Sequence, residues 1–193
     1  PPRSTLFPYT TLFRSDSAPY EYDATDKSII VTSPEDNGEG RTGLQFKHEY
    51  SLFPFSSSAK LALSMKNVVN RQVRWSLWHL ATLPVHRRCT VYAPVDNGGW
   101  HVIFGEKDNP QWLGVENGLF RARYDRRVGK VGLKVREGWV AWQDEENNIV
   151  FAMLFPVEKG KEYPDSGSNI ELWTTGAGTI HANNRDVQYE YSP

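Results

Sequence analysis

The hydrophobic pattern of this chain repeats every two residues nearly everywhere, and that period admits little besides β-structure. In TGLQFKHEYSL, Leu44, Phe46, His48 and Tyr50 fall on one side, with Gln45, Lys47 and Glu49 on the other. In KLALSMK, Leu61, Leu63 and Met65 alternate with Lys60, Ala62, Ser64 and Lys66. VQYEY sets Val187, Tyr189 and Tyr191 against Gln188 and Glu190. Such alternation marks strands with one buried face. IVFAMLF (149–155) is continuously apolar and reads as a central strand buried on both faces. Turn residues punctuate the runs: SPEDNGEG, DNGG at Asp96–Gly99, EKDNP at Glu106–Pro110 and YPDSGSN at Tyr163–Asn169. DEENN (144–148) predicts a hairpin loop between WVAWQ and IVFAMLF. The spacing predicts about ten to twelve strands, as in sandwiches and barrels. Short helices are candidates only in places such as Val115–Phe120.

The opening PPRSTLFPYTTLFRS does not fit this pattern. TLFPYTTLFRS (5–15) reads as the translation of a common sequencing adapter, so residues 1–15 are expected to be a non-native leader on an assembled environmental read. A genuine Pro-rich leader is the alternative. Removing these fifteen of 193 residues leaves 178, enough for one domain with a core, and 16–193 is expected to be a single β-sandwich domain fragment. The leader carries two arginines, so its removal takes the formal charge from −1 to −3. That balance argues against a nucleic-acid partner. No apolar run approaches the length of a membrane helix, so no membrane partner is expected. The single cysteine, Cys89, excludes an internal disulfide framework and a Cys-rich zinc site.

LALSMKNVVNRQVRWSLWHLATLP (61–84) reads as an alternating strand, an Asn-containing turn, and a second strand carrying aromatics and His79. This resembles the central hairpin of the galactose mutarotase-like (aldose epimerase-like) superfamily. GKVGLKVREGWVAW (129–142), FAMLFPVEKGKEYPDSGSNIELWT (151–174) and the closing VQYEYSP are similar to a bacterial branch of it. The resemblance spans about residues 27–193. It implies an all-β, antiparallel β-supersandwich with a concave sugar-binding face, truncated here at both ends. It implies carbohydrate as the partner and needs no cofactor. A periplasmic or secreted location is favoured over a cytoplasmic one.

Mutarotation requires a base for the anomeric hydroxyl and an acid for the ring oxygen, roles suited to Glu and His near neutral pH. By the resemblance, His79 is the acid and Glu190 the base, and the activity is that of an aldose 1-epimerase-like isomerase. The family's fuller His-x-Tyr-Phe-Asn pattern is replaced by Leu80-Ala81-Thr82 after His79, and His48 is the nearest match to the family's earlier His. Trp75, Trp78, Trp139 and Trp173 are candidate stacking platforms, although core filling is the commoner use of Trp. Trp139 and Trp142, three apart, face opposite sides of one strand. Lys130, beside Gly132 and Lys134, is a candidate donor to sugar hydroxyls or a carboxylate, against the commoner solvated strand lysine. His86, His101 and His181 sit on separate segments without a partner two residues away, so no metal is expected. Two further readings stand beside the enzyme: a non-catalytic carbohydrate-binding protein, and a structural module of a larger polysaccharide-processing protein.

Overall fold

A computed structural model of the chain describes residues 18–75, 77 and 79–175. The fold is all-β and antiparallel throughout. It divides into two compact units, residues 1–81 and 82–193.

The first unit contains a four-stranded meander, in order β1 (Glu21–Ala24), β2 (Ser28–Thr32), β3 (Leu44–Leu52) and β4 (Ala59–Asn67). Opposed residues in an antiparallel pair share a face. Phe46 pairs with Met65, His48 with Leu63 and Val31, and Tyr50 with Leu61 and Ile29, so the alternating apolar sets of three strands meet on one face. The loop 33–42 is tied down by buried polar groups. Ser33 Oγ accepts the Phe46 amide, and the fully buried Asp36 accepts both the amide and the hydroxyl of Thr42.

The expected second strand of the 61–84 hairpin does not form: among the described residues, 68–88 contains no strand. Its Trp75, Leu77 and His79 alternate as a strand would, but no neighbouring strand pairs with their backbone. Without that pairing the alternation does not bury one side of a strand, and Trp75, Leu77 and Leu80 are exposed.

The second unit contains a sheet in order β10 (Ile149–Leu154), β9 (Trp139–Asp144), β5 (Cys89–Phe104), β7 (Leu119–Arg123) and β6 (Trp112–Glu116). β5 also pairs with β8 (Gly129–Val135), which pairs with β11 (Ile170–Thr174). The sixteen-residue β5 serves both arrays: Cys89–Pro94 pairs with β7 and β9, and Val95–Phe104 with β8. DNGG does not reverse the chain but, as a Gly turn allows, takes positive φ at Gly98 (79°). It is taken up as an irregularity inside β5, with the register slipping between Val95 and Trp100. Both arrays contribute to one core of Ala93, Val95, Trp112, Phe120, Ala122, Val131, Leu133 and Val135. Trp142 is buried while Trp139 is half-buried, as their opposite faces require. Gln111, wholly buried, donates to Thr174 Oγ1 at 2.7 Å, and that hydroxyl donates to the Arg127 carbonyl at 3.0 Å, anchoring the end of β11.

Two further expectations change. Val115–Phe120 is a hairpin, not a helix. Asn117 (φ 52°) and Gly118 (φ 75°) form its two-residue turn, with Glu116 opposite Leu119. Positive φ at both positions matches the strand twist, which is why Asn-Gly overrides any local helical tendency. The run 149–155 supplies the edge strand β10, not a buried central one, and Leu154 is 83 % exposed. A continuous apolar run cannot by itself distinguish these, because sheet position depends on chain order elsewhere. The loop between β9 and β10 is as expected. Asp144 caps it, accepting the amides of Glu146 and Asn147 and the Asn147 side chain. That Asn147 side-chain bond, with the backbone donors, holds the Asp144 carboxyl down to about 2.

Candidate functional site

The outer face of the β5–β8–β11 array gathers polar and charged side chains from three strands. On β8, Val131, Leu133 and Val135 point to the core, which turns Lys130, Gly132 and Lys134 outward. Register extends this face across three strands. His101, Gly132 and Glu171 form one row, and Phe104, Lys130 and Trp173 the next. Phe104 is 57 % exposed and Trp173 41 %. They stand two strand spacings apart, about 10 Å, with Lys130 between them.

The charged groups on this face are linked. Lys130 Nζ lies 2.5 Å from Glu171 Oε2, and the Glu171 side chain is only 9 % exposed. Asp165 adds a second carboxyl beside Glu171. Burial, then Asp165, raise the Glu171 pKa above its usual range, against the opposing pull of Lys130. As a charged group Glu171 finds no well-aligned hydrogen-bond donor for either oxygen among the described residues. Burial, more than the neighbouring carboxyl, is what disfavours the charged form of Glu171.

The turn Pro164–Gly167 folds over this row. Asp165 (φ 47°) and Ser166 (φ 60°) are consecutive left-handed residues, a conformation that costs non-glycine residues on the order of 1–3 kcal/mol each. Ser168 Oγ donates to the Asp165 carbonyl at 2.8 Å, closing the turn. Gly132 makes this possible. A Cβ there would collide with Ser168 Oγ and lie 2.7 Å from His101 Cε1.

Of the residues singled out from sequence, Lys130 and Trp173 are brought together as register partners. Asp165 and Glu171, which the sequence offers together as oxygen donors beside a Gly turn, join the same face, and Ser168 and His101 were missed as members of it. The signal for Glu171 and Trp173 was their two-residue separation, which puts them on one side of a strand. The rest depended on register between distant segments.

A second grouping lies in the first unit. His48 makes edge contacts with Tyr20 and Tyr50, with ring centroids 6.4 and 6.3 Å apart. Its pKa is lowered by burial and, secondarily, by the charge of His79. His79 is thus within electrostatic reach of His48, and it is exposed and lies on no strand. Trp75 is exposed in the same segment. Trp139 belongs to neither group, its indole N–H donating to Glu137 at 3.3 Å. Trp78 and Glu190 lie outside the described residues. Comparison of the chain with protein-family models, with curated proteins and with solved structures gives no match.

Proposed function

We propose that this is a carbohydrate-binding protein and that the outer face of β5–β8–β11 is its binding surface. The observation that carries this reading is the row Phe104–Lys130–Trp173, two exposed aromatic rings on either side of a lysine that is paired with a nearly buried carboxylate. Aromatic faces offer area for the C–H side of a pyranose, and the Lys130–Glu171–Asp165 cluster offers donors and acceptors for its hydroxyls. An exposed apolar ring beside fixed polar groups is the composition expected of a small-ligand surface.

The test is titration of Trp fluorescence with neutral and acidic mono- and oligosaccharides, repeated with Trp173→Ala. A saturable change is expected, with affinity weakened by about tenfold in the variant, which is about 1.4 kcal/mol. Equal affinity in the variant, or no response to any sugar, removes this face from the account.

A second reading is favoured by the electrostatic coupling of His48 to His79 within the first unit. The galactose mutarotase-like resemblance pairs an earlier His with the hairpin His in acid–base work at an anomeric carbon. On that reading His79 donates to the ring oxygen and Glu190 takes the anomeric proton. The rate of anomer interconversion of aldoses is expected to collapse in His79→Ala and in Glu190→Gln. A rate above the spontaneous one that survives both changes rules the enzyme out, and so does a wild-type rate no faster than the spontaneous one.

A further inference from the structure

The start of β5 meets the end of β9 at a cluster unconnected with the sugar face. His86, Cys89 and Asp144 each offer one ligand atom, and these atoms all lie within 4.8 Å of one another. Three amino acids separated by up to 58 positions thus present a nitrogen, a sulfur and an oxygen to one point. We propose that His86, Cys89 and Asp144 bind one divalent transition-metal ion, zinc by the chemistry of the set, with water as fourth ligand.

Zinc accepts thiolate, imidazole and carboxylate at about 2.0–2.3 Å, so tetrahedral ligand atoms stand about 3.3–3.8 Å apart. His86 Nε2 and Asp144 Oδ1 are 3.0 Å apart. Opening that gap by under an ångström lets the ion enter between them. The surroundings already resemble a metal site's outer layer. The His86 amide donates to Cys89 Sγ at 3.4 Å, an N–H···S contact that steadies a thiolate. Asp144 is oriented independently of His86 by Asn147, which donates to Oδ2 at 2.7 Å. Glu146 Oε2 lies 3.5 Å from His86 Nδ1. A histidine that gives Nε2 to a metal carries its proton on Nδ1, and a carboxylate is a frequent partner for that proton.

Without metal, Nδ1 accepts the Arg88 amide at 3.2 Å, so Nε2 carries the proton and donates it to Asp144. Binding then moves the imidazole proton from Nε2 to Nδ1, where it faces Glu146, the Arg88 amide gives up its bond to Nδ1, and the imidazole stays neutral. Cys89 Sγ–H gives its proton to solvent and forms the sulfur–metal bond. One proton is released for each ion bound. The His86 side chain is 26 % exposed, which leaves a side open for water and for entry of the ion.

The competing reading is a structural His86–Asp144 hydrogen bond with a buried thiol nearby. The full chain, stripped of metal, separates the two when titrated with Co²⁺ and then Zn²⁺. The expected result is a thiolate-to-cobalt charge-transfer absorption that saturates at one ion per chain and is erased by zinc. In Cys89→Ser the band is expected to vanish, and zinc affinity to fall by more than about tenfold in both Cys89→Ser and His86→Asn. The cobalt spectrum needs no variant, so it decides the matter even if a variant does not fold. No charge-transfer band in the wild type overturns the site. Zinc affinity unchanged in both variants means an adventitious ion only, and overturns it equally.

Discussion

Glu171 shows how one residue's surroundings set its chemistry. It sits on an edge strand yet is nearly buried, because the Pro164–Gly167 turn covers the row it shares with Gly132. Burial and Asp165 disfavour its charged form more than Lys130 favours it, so its folded pKa lies above the ordinary 4.5. The folded state therefore holds the proton more tightly than the unfolded chain. Stability from this group is fully present below the unfolded pKa and is lost as pH rises through the folded one. Glu171→Gln, neutral at every pH, is expected to gain stability relative to wild type as pH rises above about 4.5, by the same linkage. Chemical denaturation of both proteins across a pH series measures this. Parallel curves would show that Glu171 ionises in the fold as easily as in the open chain.

At the scale of elements, the β6–β7 hairpin rests on its turn. Gly118 has φ 75°, and a Cβ there would lie 2.9 Å from the Arg136 guanidinium. The Gly118 carbonyl also accepts the Val95 amide at 3.0 Å, so the turn is fixed to β5. Gly118→Val is expected to cost roughly 1–2 kcal/mol from left-handed strain alone, lowering Tm by a few degrees, and an unshifted Tm would mean the turn is not held in this form. The same hairpin marks what the sequence carried and what it did not. Period-two alternation was enough to recognise β3, β4 and the all-β class, because face alternation is a local property of a strand. The loop between β9 and β10 was legible from its polar residues. Sheet position was not legible. Nothing within IVFAMLF records that, among the described residues, β10 pairs with β9 alone, and nothing around DNGG records that β5 absorbs it and continues. Of the candidate site, Lys130 and Trp173 were chosen one by one for their chemistry. Their adjacency comes from the β8–β11 register, which pairs Gly129–Leu133 with Ile170–Thr174 and lies beyond any local pattern. The expected strand through His79 failed for the converse reason, since its local pattern was right but no strand among the described residues pairs with it.

At the scale of the whole molecule, the described chain is two compact units joined through that strandless stretch. Each unit has its own device for holding sheet to loop: Asp36 and Ser33 in the first, Gln111 and Thr174 in the second. Among the described residues, 69–74 and 79–85 contribute no backbone-to-backbone bond like those that lock the flanking elements, the nearest being Val68 to the Gly43 carbonyl and Cys89 to the His86 carbonyl. Proteolysis needs a stretch of backbone that can leave its hydrogen bonds and lie extended in a protease, and stretches without such bonds give up least to do so. Arg71 and Arg74 supply exposed trypsin sites within the first of these; Arg71 is held by two side-chain bonds, its guanidinium donating to the Arg41 carbonyl at 2.6 Å and its carbonyl accepting the Asn67 side chain at 2.9 Å, and by none along the backbone. Arg121 and Arg123 lie on paired β7, where Arg121 also bonds Glu116, and Arg123 donates to Thr90 at 3.4 Å. Brief trypsin treatment is therefore expected to cut at Arg71 or Arg74 before any site inside β5–β11, among cuts within residues 18–175. Mass spectrometry of the early fragments reads this directly. Early cleavage at Arg121 or Arg123 instead would mean that the second unit opens more easily than the segment joining it to the first, and that its shared core is not the most stable part of the molecule.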